Sequence, residues 1–88
     1  MWVSWKLDQV SETARVEDLS ISGAFIASEK PLPVGTRLEL HFALAEGQVQ
    51  VQAVVRNARE GRGFGVEFVS MRGRDFELML TAIKRLLG

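Results

Sequence analysis

Cysteine is absent from the 88 residues, which removes disulfides, thiolate nucleophiles and sulfur-ligated metals together. A single histidine, His41, supplies too few nitrogen ligands for a transition-metal site, so no metal and no cofactor are expected. Eleven Lys and Arg balance eleven Asp and Glu, leaving no net field to draw nucleic acid or an anionic membrane. Any polyanion has to be held locally. The same neutrality leaves little repulsion against self-association, so a homo-oligomer stays open. Apolar runs are only a few residues long, far short of a membrane span, and Met1 to Lys6 lacks the charged-then-apolar order of a signal peptide. These absences describe a soluble, cytoplasmic chain. Its length makes one domain, 1–88, whose core must be continuous because a chain this short buries only roughly 60 to 65% of its unfolded surface.

What is present is mostly period-two alternation. Val3, Trp5 and Leu7 alternate with Ser4, Lys6 and Asp8; Asp8 to Glu12 reads as a turn; Thr13 to Leu19 resumes the alternation. Ser22 to Ser28 is a more apolar strand carrying Phe25 and Ile26, and Pro31-Leu32-Pro33-Val34-Gly35 marks a connecting loop. Leu38, Leu40, Phe42 and Leu44 then alternate with polar neighbours, Glu46-Gly47 signals a hairpin, and Val49, Val51, Ala53 and Val55 form the next inward stripe. Glu60-Gly61 turns the chain again, before Phe64, Val66 and Phe68, with Gly63 and Gly65 on the opposite face. The spacing predicts strands at about 3–7, 13–19, 22–28, 36–44, 49–58 and 62–69, closed into a six-stranded antiparallel β-barrel.

The period changes after residue 70. Phe76, Met79, Leu80, Ile83 and Leu87 recur at three and four residues, with acids early and Lys84 and Arg85 late, as the helix dipole prefers. This predicts one helix over about 72–87, and hence an all-β fold with a C-terminal helix capping a barrel mouth. The expected core is Val3, Trp5, Val16, Phe25, Leu38, Leu40, Phe42, Val51, Val55, Phe64, Val66 and Phe68, plus Phe76, Met79, Leu80 and Ile83 of the helix.

One stretch departs from plain strand chemistry: Asp18-Leu19-Ser20-Ile21-Ser22-Gly23. On an extended backbone Asp18 and Ser20 share a face while Leu19 and Ile21 share the other, which sets an acceptor and a hydroxyl side by side over an apolar floor. Gly23 supplies backbone freedom for a bulge or a close approach. Asp and Ser bonding nearby backbone would account for the stretch locally.

Asp18-x-Ser20-x-x-Gly23, followed by Ala24-Phe25-Ile26, resembles the second signature of the PilZ family, bacterial receptor modules for cyclic di-GMP. The resemblance continues through Pro31 to Gly35, the Arg56 strand and Gly63-Phe64-Gly65-Val66-Glu67-Phe68 to the closing helix. It implies that Asp18, Ser20, Ser22 and Gly23 line a guanine site: a carboxylate accepts from the base's donor edge, a hydroxyl bonds an acceptor, and backbone near Gly23 approaches the ring. The family's other signature, Arg-x-x-x-Arg just before the first strand, is not found. Arginines stand at 15, 37, 56, 59, 62, 72, 74 and 85, no two of them four apart, and the motif's place lies upstream of Met1.

Arg56, Arg59 and Arg62 gather around the last hairpin. They read either as phosphate contacts, Arg56 and Arg59 foremost, or as solvated turn charges balanced by Glu60. Asp18, Ser20 and His41 give no geometric warrant for a triad, so no catalytic residue is expected. The resemblance implies a non-enzymatic receptor or adaptor that binds cyclic di-GMP and relays it to an unidentified protein partner. The alternative is a departed PilZ domain that ignores the nucleotide and acts as a protein-binding module. A small barrel binding RNA or DNA is disfavoured by zero net charge and the lack of a basic-aromatic stripe.

Overall fold

A computed structural model describes all of residues 1–88. Six strands run β1 Trp2–Leu7, β2 Val10–Leu19, β3 Gly23–Ala27, β4 Arg37–Leu44, β5 Gly47–Arg59 and β6 Gly63–Ser70, followed by helix α1, Gly73–Leu87. They close into an antiparallel barrel in the order β1-β2-β3-β6-β5-β4, with Val3 opposite Phe42 sealing β1 to β4. Closure gives every strand a neighbour on both sides.

Turn chemistry decides where the strands begin. Asp8 and Gln9 both take positive φ, 51° and 68°, the mirror-image turn whose twist matches that of the flanking strands. Leu7 therefore pairs directly with Val10, and Ser11 and Glu12 belong to β2 rather than to a longer turn. The connection from β3 to β4 carries Pro31 and Pro33 and is pinned to the wall where Gly35 N–H donates to Val55 O at 2.8 Å and Val55 N–H donates to Thr36 O at 2.9 Å.

The barrel interior is filled by Val3, Trp5, Ile26, Leu38, Leu40, Phe42, Val49, Val51, Ala53, Val55, Phe64 and Val66, with Met79 entering from the helix. Trp5 meets Phe64 edge-on at 5.6 Å, and Phe42 meets Phe68 edge-on at 6.0 Å. Val16 and Phe68 pack against this core from its margin. Phe25 does not enter it. The β2–β3 register shifts at Glu17: Val16 pairs with Ile26, then Asp18 pairs with Phe25. Ile26 faces the core with its partners Val16 and Phe64, so its neighbour Phe25 faces outward opposite Gly65, and the extra residue on β2 turns Asp18 outward beside it.

The helix is also turned relative to the expected stripe. Asp75, Met79 and Ala82 are buried, whereas Phe76 is 44% exposed and Leu87 84%. The cause lies in the sheet. β6 pairs with β5 only from Gln52 onward, so the first part of β5 presents a bare edge, and the start of α1 covers it. The Asp75 carboxylate accepts from the Gln50 N–H at 3.4 Å and from Arg74 Nη1 at 2.9 Å, while Arg74 also donates to Gln48 O at 3.3 Å. Satisfying backbone groups that have no strand partner fixes which face of the helix looks inward. At the other end Arg85 donates twice to Glu46, at 2.7 and 3.2 Å, tying the last turn to the β4–β5 hairpin. No helix is long and apolar enough to cross a membrane.

Candidate functional site

The stretch singled out in the sequence forms the β2–β3 turn. Asp18 lies near the end of β2, just past the bulge; Ser20, Ile21 and Ser22 make the turn; Gly23 opens β3. Ser20 N–H donates to Gly23 O at 2.9 Å, closing the turn, and Ser22 O accepts from the Phe68 N–H at 2.8 Å, tying it to β6. The two hydroxyls sit 3.2 Å apart, and Ser22 N–H donates to Ser20 Oγ at 3.3 Å. Both serines are exposed, so these local bonds shape the turn and leave hydroxyl capacity directed at solvent.

Gly23 is needed for a close approach, and its neighbour is the barrel itself. A Cβ there would collide with the carbonyl oxygen of Val66 on β6. The signature glycine thus lets β3 lie tightly against β6 beneath the turn.

Asp18, Ser20, Ser22 and Gly23 line an open depression of about 380 Å³ on the outer wall. Its floor is a row set by strand register: Asp18 pairs with Phe25, Phe25 with Gly65, and Gly65 with Asn57, so β2, β3, β6 and β5 each contribute one outward position. Arg56, the extra residue of a second register shift between Val55 and Asn57, reaches the same depression. There it is already engaged. Arg56 Nε donates to Glu67 Oε1 at 2.7 Å, and both side chains are about half exposed. Asp18 and Glu67 outnumber Arg56, so the lining carries one excess negative charge.

Arg59 stands apart from Arg56. It lines an adjoining depression of about 290 Å³ with Arg62, Glu17, Asp18 and Phe25, so Asp18 and Phe25 form the divide between the two. His41 lies on β4, separated from Asp18 by β1, and pairs with Glu39 at 3.1 Å.

The sequence reading missed Phe25, Asn57 and Glu67 as lining residues. Glu67 was accessible to it: Phe64, Val66 and Phe68 point inward, so Glu67 has to follow Gly63 and Gly65 on the outer face. Phe25 was hidden by its apolar neighbour Ile26, since β3 has no polar alternation to say which of the two points inward, and Asn57 by the bulge at Arg56.

The family model of the PilZ domain matches residues 2–87, the stretch that forms the closed barrel and the terminal helix. No curated protein gives a significant match. The chain belongs to the PilZ domain family, whose members are receptor modules of cyclic di-GMP signalling.

Proposed function

We propose that this chain is a non-enzymatic receptor or adaptor domain that takes cyclic di-GMP on the outer barrel wall at Asp18, Ser20, Ser22 and Gly23 and relays the event to a partner protein. The observation that carries the reading is the row Asp18, Phe25, Gly65, Asn57: four strands bring an acceptor, a ring and an amide lying over a glycine into one depression with the two serines. The Asp18 carboxylate suits the donor edge of guanine, and the Ser20 and Ser22 hydroxyls and the Asn57 amide suit its acceptors. An excess negative charge also favours a base's N–H edge over a phosphate in that lobe. Relay to a partner requires that the ligand bind two arrangements of the domain unequally, since equal affinity shifts nothing.

A second reading is favoured by one observation. The cation inside the depression is neutralised in place by Glu67, which suits a module that binds protein and takes no dianionic nucleotide. Calorimetric titration with cyclic di-GMP separates the two. Saturable binding that is lost in Asp18→Ala supports the receptor; silence of the unaltered chain at millimolar ligand supports the protein-binding module.

A further inference from the structure

Two arginines at the β5–β6 turn stand outside the ion pairs of the fold. Arg59 and Arg62 make no salt bridge and no side-chain hydrogen bond, in contrast to Arg56, Arg74 and Arg85. Their backbone is nevertheless fixed: Arg62 N–H donates to Arg59 O at 3.0 Å, and Arg62 O accepts from Ser28 N–H at 2.9 Å, which ties the turn to the end of β3. Two unpaired guanidinium groups on an anchored turn have no ion pair to break when an anion arrives, and only their side chains remain to be ordered.

Their surroundings set the kind of anion. Across the outer wall the order is Glu17 and Asp18 on β2, Phe25 on β3, glycines on β6, and the arginines at the β5–β6 turn. Carboxylates and guanidiniums therefore stand on opposite sides of an aromatic ring. Phe25 leans toward the cationic side: a Cβ on Gly63, which pairs with Arg59, would lie 3.0 Å from its ring carbon Cε1. Gly63 takes φ 155° and a Cβ there would also strike the Ile26 carbonyl, so the position stays bare and the ring lies low over it. From β2 to β5 is three strand spacings, roughly 14 Å, a distance that the long arginine side chains shorten to the reach of a nucleotide. Acceptor, flat apolar face and paired cations in that order match a guanine nucleotide laid across the wall, base edge to Asp18 and phosphate to the arginines.

Building on the nucleotide reading above, we infer that Arg59 and Arg62 form its phosphate subsite, that the Phe25 ring is the face on which the base or sugar lies, and that Arg56 is not the phosphate ligand. Two charge-assisted contacts are lost in the Arg59→Ala/Arg62→Ala double variant, so affinity for cyclic di-GMP falls by about tenfold to a hundredfold. The ionic-strength dependence of binding flattens with it. Phe25→Ala weakens binding by about tenfold, and Phe25→Leu, which keeps bulk without a ring, behaves the same way.

The test is an amide NMR titration of the full chain with cyclic di-GMP at low and raised salt, run on the unaltered protein, the double variant, Arg59→Lys/Arg62→Lys, both Phe25 variants and Asp18→Ala. Weakened, salt-insensitive binding in the double alanine variant, with recovery by the lysines, supports the subsite. A double variant that binds as the unaltered chain does, while Asp18→Ala does not bind, overturns the subsite and leaves the nucleotide reading standing. Absence of any shift in the unaltered chain at millimolar ligand overturns both.

Discussion

Arg56 Nε sits 2.7 Å from Glu67 Oε1 across the β5–β6 ladder, so the one cation of the Asp18 depression is held by a carboxylate of the same depression. In solvent such a pair contributes little to stability, about 0 to 1 kcal/mol. Its consequence is electrostatic. Because the phosphate is assigned to Arg59 and Arg62, Glu67→Gln should release Arg56 without creating a phosphate contact, changing cyclic di-GMP affinity by no more than about threefold and leaving the melting temperature unchanged. Parallel calorimetry and thermal melts check both halves.

The start of α1 is fixed by an edge of sheet rather than by its apolar residues. Asp75→Ala leaves the Gln50 N–H without its acceptor and should cost about 1 to 3 kcal/mol in urea unfolding. Phe76→Ser, one position on but 44% exposed, should change stability by no more than about 0.5 kcal/mol. The reverse ranking would mean that the helix packs on the face expected from periodicity.

Gly23→Ala should destabilise the chain in the absence of any ligand, by about 1 to 3 kcal/mol, because its methyl collides with backbone that cannot swing aside as a side chain can. The readout is denaturant midpoint. An alanine variant of unchanged stability would free the glycine for a ligand-related role alone.

Most of the architecture was legible because the strands obey period two and every hairpin carries a turn. The closed barrel and the C-terminal helix followed from that. What escaped were offsets of one residue. The bulge at Glu17 turned Asp18 outward beside Phe25, whose pairing with Gly65 leaves Ile26 as the buried residue of β3, and the extra residue at Arg56 brought Asn57 into line with Gly65. The Asp75 contact rotated the helix so that Ala82 replaced Phe76 inside. Each depends on a partner distant in sequence, Gln50 being 25 residues from Asp75. At the site, Asp18, Ser20, Ser22 and Gly23 were visible as a motif. The engagement of Arg56 was not, since Glu67 lies 11 residues away across a bulged ladder.

The Glu46–Arg85 pair gives the chain an acid limb. The hydrogen bond from Arg85 holds the Glu46 carboxyl below its usual range, and holds the guanidinium correspondingly higher. A folded-state carboxyl that is harder to protonate than the unfolded one stabilises the fold above the ordinary glutamate range, near pH 4.3, and that contribution is lost as pH falls through the depressed value. Glu46→Gln should therefore lower the melting temperature at neutral pH and narrow its difference from the unaltered chain as the solution is acidified. Melts across that range, compared between the two proteins, give the sign.

The receptor reading turns on where a nucleotide touches the wall. Mapping amide shifts of the 88-residue chain on addition of cyclic di-GMP tests it most directly. Weak, saturable shifts confined to Asp18–Phe25, Asn57–Arg62 and Gly65–Glu67 are expected, abolished by Asp18→Ala. Shifts centred instead on α1 or on the β1–β4 side, or none at millimolar nucleotide, would contradict it.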